Sequence, residues 1–186
     1  MDATINQETI DQWLGRADVA YRDMRMLYDP ADFASVGGKP ALTQSLPGFR
    51  IVSYPYLGTL PQSDIAGMYA GDTLFTVAWE GETLLSATAN YEESLAVLED
   101  LFPKDRAIFL MCGGGKYAEF TKLLLIELGW DASLLYNIGA NWGYEGSRAV
   151  VFTAPSASDP NSPILMTWRM DVAVLDFALM HPLEGP

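Results

Sequence analysis

Cys112 sits where nucleophilic chemistry is easiest to arrange. It closes the apolar run at 107–111, and Gly113, Gly114, Gly115, Lys116, Tyr117 and Ala118 follow it. Glycines lack a Cβ, so the backbone there can curl tightly and turn its N–H groups inward. Residues 116–128 have helical composition, and a helix N-terminus adds partial positive charge at the same spot. Both effects favour the thiolate, the nucleophilic form of cysteine. Cys112 is therefore the candidate catalytic residue. A cysteine after an apolar run is also an ordinary small core residue. The three glycines and the helix start are what argue for reactivity.

Asp23 and Arg25 form the polar end of a strand at 18–25. In a parallel sheet that end lies at the carboxyl edge, where functional groups are delivered. They read either as support for a site or as a surface ion pair worth about 0–1 kcal/mol. Tyr117 reads as core or pocket wall, and Trp142 and Tyr144 as packing or, alternatively, as lining of the pocket. The single histidine, His181, lies far along the chain, and with one cysteine it makes neither a zinc set nor a Cys–His pair expected. No metal or cofactor is expected. The stretch Gly37-Gly38-Lys39 fails as a phosphate loop, because Pro40 stands where Ser or Thr is needed and Phe33 where the first glycine is needed.

The elements that must position these groups alternate. Residues 6–16 read as a helix with Asn6 as N-cap and Ile10, Trp13 and Leu14 on one face. The strand at 18–25 follows, then a Pro/Gly-rich loop at 28–50, a strand at 49–54 and an irregular stretch at 55–68. Residues 73–79 and 83–88 alternate around Glu80-Gly81-Glu82, a hairpin signal. Asn90 and Glu93 resemble a capping box for a helix ending at Leu101, before Pro103. The short apolar runs at 107–111 and 134–138 suit strands buried on both faces. Residues 164–172 alternate as a further strand would. The order implies an α/β fold with a central parallel sheet.

Composition narrows the partners. The chain has 186 residues and is 49% hydrophobic, enough for one domain with a substantial core. Its net charge of −13 argues against nucleic acid and anionic membrane surfaces. No apolar stretch approaches the length of a membrane span. The first residues lack the basic and apolar regions of a signal peptide. The compartment stays open between the cytoplasm and, with a leader removed, the bacterial cell envelope.

Four segments in order resemble the rhodanese family of sulfurtransferases across roughly residues 5–146. Asp23-Met24-Arg25 is similar to its Asp-x-Arg strand end, and Leu46-Pro47-Gly48 to its Ile-Pro-Gly turn. Residues 108–118 resemble its cysteine strand and active-site loop, and residues 135–142 its last strand, glycine turn and tryptophan. Ser45 replaces the family's histidine before the turn. Gly113 and Tyr117 stand where loop arginines are common, and Lys116 is the only cation of the loop. The resemblance implies a rhodanese-like sheet flanked by helices, with a β-hairpin insertion at about 56–88 and an extra C-terminal segment at 147–186. All of it is read as one domain, 1–186.

The implied chemistry is sulfur transfer through a Cys112 persulfide, from a small sulfur donor to a thiol or cyanide acceptor. Gly113, Gly114, Gly115, Lys116, Tyr117 and Ala118 would bind the substrate, with Asp23 and Arg25 in support. Lys116 would draw an anionic donor, or stand as a first-turn lysine whose charge opposes the helix dipole and asks for a compensating anion. The hairpin would wall one side of the pocket, with Tyr54, Tyr56 and Trp79, or only extend the sheet edge. A Cys-x5-Arg phosphatase needs an arginine to clamp phosphate, and Ala118 stands there. A non-catalytic rhodanese-fold binding or regulatory module is the alternative. Donor, acceptor and oligomeric state stay open.

Overall fold

The structure, a computed structural model, describes residues 2–30, 42–61, 67–166 and 169–183. The Gly37–Lys39 stretch and Trp168 lie outside them. The fold is α/β, built on a parallel four-stranded sheet. Strands β1 (Val19–Met26), β2 (Gln44–Ser45) and β3 (Arg50–Ser53) come first, followed by one helical turn, α1 (Tyr54–Leu57). The hairpin β4 (Phe75–Glu80) and β5 (Thr83–Ala89) leads to helix α2 (Ser94–Leu101), strand β6 (Ala107–Cys112), helix α3 (Lys116–Glu127) and strand β7 (Leu135–Ala140). The sheet order is β3-β1-β6-β7. The cysteine strand is thus central, flanked by the Asp23–Arg25 strand and β7.

Period-two alternation divides the core into two layers. Ile108, Leu110 and Cys112 of β6 pack into one cluster with Ala20, Met24, Leu98, Leu124 and Leu125. Phe109 and Met111 point to the other face and join Tyr21, Phe49, Ile10 and Ile138. Phe109 meets Tyr21 and Tyr136 edge-on, with ring centroids 5.6 and 5.3 Å away. Buried on both faces, each large β6 side chain contributes about 1.5–3 kcal/mol. On the edge strand β7, the Asp2 amide donates to the Asn137 carbonyl at 2.8 Å, which covers part of an otherwise open ladder.

The hairpin pairs with neither edge of the central sheet; β4 and β5 form their own two-stranded sheet. It lies on α3, where Trp79 packs on Phe120 at 5.2 Å between ring centroids. The expectations that it extends the sheet edge, or that Tyr56 and Trp79 face the cysteine, are therefore corrected. Tyr56 donates to the Asp29 carboxylate at 2.6 Å and packs against Tyr69 and Phe177. The Trp79 indole donates to the Thr59 carbonyl at 2.9 Å.

Other local expectations also change. The helix at 6–16 reduces to a 3-10 turn at Ile10–Gln12. Its N-cap is Thr9, without a side-chain cap bond, and Asn6 instead closes the turn before it, where its Oδ1 accepts from the amides of Glu8 and Thr9. The turn stops early because the Trp13 carbonyl takes the Tyr21 hydroxyl instead of a helical N–H. Asn90 and Glu93 form no capping box. Asn90 ties Thr73 to Thr76 across the hairpin base, and Ser94 receives the Tyr91 amide at 3.0 Å. The irregular stretch at 55–68 contains most of α1.

The C-terminal segment is not one strand from 164 to 172. β8 (Val150–Val151) pairs with β2, and β9 (Thr153–Ala154) pairs with β10 (Ile164–Leu165). The chain then moves to a different partner, where the Ile51 amide donates to Asp171 O and the Ala173 amide to Ile51 O. Two half-buried contacts in succession mimic a strand's alternation. Phe177 then packs between Tyr56 and Tyr91, and the backbone of His181 and Leu183 bonds Glu92 and Asn90. No helix among the described residues is long and apolar enough to cross a membrane.

Candidate functional site

Cys112 is the last residue of β6, and its neighbours across the sheet converge on it. Met111 is in register with Asp23 on β1, and Cys112 with Ala140 on β7. The carboxyl ends of three strands therefore meet at the sulfur. The next residues cannot continue the strand, and the chain turns through Gly113, Gly114 and Gly115 into α3.

Gly115 makes the turn possible. Its φ is +87°, the left-handed region that disfavours residues with a Cβ, and a Cβ there would sit 3.3 Å from the Gly139 Cα. In this conformation its N–H donates to Cys112 Sγ at 3.0 Å. The sulfur is thereby met by a fixed dipole. Asn137 holds the turn in place. Its Nδ2 donates to the Gly115 carbonyl at 3.0 Å and to Glu119 at 2.9 Å, while its Oδ1 accepts from the Gly139 amide at 3.0 Å. A polar residue in the otherwise apolar run of β7 was its only sequence signal.

Arg25 forms part of the cysteine pocket. Asp23 and Arg25 are 0% and 2% exposed, so they are a buried pair rather than a surface one. Arg25 reaches both carboxylate oxygens of Asp23, at 2.6–3.0 Å, and also Asn141 Oδ1 at 2.8 Å and Gln44 O at 2.6 Å. Ser45 adds a donor to Asp23 at 3.1 Å. A buried guanidinium this well paired avoids the cost of an isolated charge. It also ties β1 to the turn after β7, where Trp142 follows Asn141.

The pocket over the sulfur has a volume of about 240 Å³ and is lined by Arg25, Cys112, Gly113, Gly114, Lys116, Tyr117 and Trp142. Of the two readings of Trp142, packing or lining, the pocket fits the second; the residue is 72% exposed. Its amide donates to Gly113 O at 3.2 Å. A Cβ at Gly113 would lie 2.6 Å from the Trp142 ring, so glycine leaves the space that the indole fills. Tyr144 instead donates to Asp11 at 2.6 Å, outside this pocket. Tyr117 faces Tyr54 at 6.4 Å. Burial raises the Tyr117 hydroxyl above its ordinary value, and the nearby Cys112 charge adds to this. Ala118 is fully buried beneath the loop.

Lys116 meets the compensating anion its position called for. Its Nζ donates to the Glu82 carboxylate at the hairpin tip, and the ammonium also lies 5.6 Å from the Phe120 ring centroid. The hairpin therefore touches the pocket rim through one ion pair. Nothing in the sequence connects two residues 34 apart in this way.

The arrangement supplies a cysteine sulfur met by the Gly115 amide, a glycine loop and an aromatic wall, an arrangement compatible with covalent chemistry at sulfur. No group of three or more potential metal ligands occurs among the described residues. Comparisons with protein-family models, curated proteins and solved structures give no match.

Proposed function

We propose that this protein is a rhodanese-type sulfurtransferase that carries sulfane sulfur on Cys112. The observation that supports this most is the 3.0 Å bond from the Gly115 amide to Cys112 Sγ at the floor of an open pocket. A thiolate there attacks the outer sulfur of a donor, keeps it as a persulfide and yields it to a thiol or cyanide. The same loop amides serve both sulfur species, so no separate general base is required. The sheet order and the Asp23–Arg25 pair beside the cysteine fit the resemblance in the sequence. The loop arginines common in that family have no counterpart here, and Trp142 fills the space beside Gly113. Phosphate-ester hydrolysis is disfavoured, because Ala118 is buried and offers no phosphate clamp. The test is thiocyanate formation from a sulfane donor and cyanide. The native protein turns over, and Cys112→Ser does not. Equal rates for the two proteins would remove the assignment.

A further inference from the structure

Resting on that reading, the pocket lining restricts the donor, because each of its two cations is already paired with a carboxylate of the chain. The Arg25 guanidinium is committed to Asp23, Gln44 and Asn141. The Lys116 ammonium is committed to Glu82 and lies against Phe120. The remaining walls are glycine backbone and the Tyr117 and Trp142 rings. The chain's net charge of −13 adds repulsion against a compact dianion.

We infer that the pocket takes sulfane sulfur from an organic donor, with an apolar body against Trp142 and at most one negative charge, ahead of thiosulfate. For an organic thiosulfonate the step is balanced. The Cys112 thiolate bonds the outer sulfur, the S–S bond breaks, and its electron pair leaves on the sulfinate. Cys112 is left as the persulfide anion. An organic persulfide reacts in the same way and releases a thiolate.

The experiment loads the full chain with benzenethiosulfonate, methanethiosulfonate or thiosulfate and follows the gain of one sulfur atom by intact mass. Each rate is divided by that donor's rate with a free small thiol. The corrected order expected is benzenethiosulfonate, then methanethiosulfonate, then thiosulfate. Trp142→Ala removes the advantage of the phenyl donor over the methyl donor. Glu82→Gln releases Lys116 and raises thiosulfate loading by up to about fivefold, the most an exposed ion pair can contribute. Thiosulfate equal to or faster than benzenethiosulfonate overturns the donor inference and leaves the sulfur-carrying reading standing. So does a phenyl advantage that survives in Trp142→Ala. Loading by none of the three donors overturns both.

Discussion

The amide of Gly115 donates to the Cys112 sulfur across 3.0 Å, and the left-handed φ of +87° at Gly115 turns the chain from that bond into α3. Gly115→Ala therefore strains the turn by about 1–2 kcal/mol and moves the donor off the sulfur. Gly114→Ala meets no atom within 4 Å and serves as the control. Denaturant midpoints and Cys112 alkylation rates separate the two. Equal effects of the two substitutions would show that the Gly115 conformation does not matter.

Asp23→Ala leaves the Arg25 guanidinium buried without its carboxylate. The expected loss is about 3–5 kcal/mol, typical of breaking a buried pair by removing one partner. Removing Asp18 from its exposed pair with Arg16 leaves the midpoint unmoved. Urea titration at constant m-value reads both. A small loss at Asp23 would mean that water reaches Arg25.

Trp142 and Trp79 divide the roles that the sequence assigned to the hairpin. Trp142→Ala opens the pocket and raises alkylation of Cys112 by bulky reagents relative to small ones. Trp79→Ala leaves that ratio unchanged and costs roughly 2 kcal/mol, through lost packing of a half-buried ring on Phe120. A changed ratio in Trp79→Ala alone would restore the hairpin as the wall.

His181 pairs with Glu93, which raises the imidazole above its ordinary 6.5 first through the hydrogen bond and then through charge. A raised folded value means that the protonated form favours the docked tail. The contribution is fully present below pH 6.5 and is lost as pH rises through the folded value. Both groups are at the surface, so salt weakens the effect. Hydrogen exchange at the Leu183 amide, bonded to Asn90 O, should speed up more between pH 6 and 8 than base catalysis alone predicts. Exchange that tracks base catalysis, or is the same in His181→Gln, would separate the tail from this titration.

The parts of the fold that were legible in the sequence are local. A continuous apolar run marked β6 and a largely apolar one β7, the polar end of β1 marked its carboxyl edge, and Glu80-Gly81-Glu82 marked the hairpin turn. What escaped was set by distant pairing. Arg25 finds Asn141 116 residues away, and Asn137 reaches back to the Gly115 carbonyl. The Trp13 carbonyl is taken by Tyr21, which stops a segment whose spacing alone reads as a longer helix. Trp142 followed a glycine turn and could be read as packing or lining, because its position over Gly113 depends on the register between β6 and β7.

The most direct measurement is the location of the sulfur. After brief donor exposure and removal of the excess, alkylation of the persulfide and peptide mass mapping should place one added sulfur on Cys112. Cyanide or a thiol should then remove it within a single turnover, and Cys112→Ser should carry none. A native chain that acquires no sulfur, or a Cys112→Ser chain that acquires as much, would contradict a persulfide carried on Cys112.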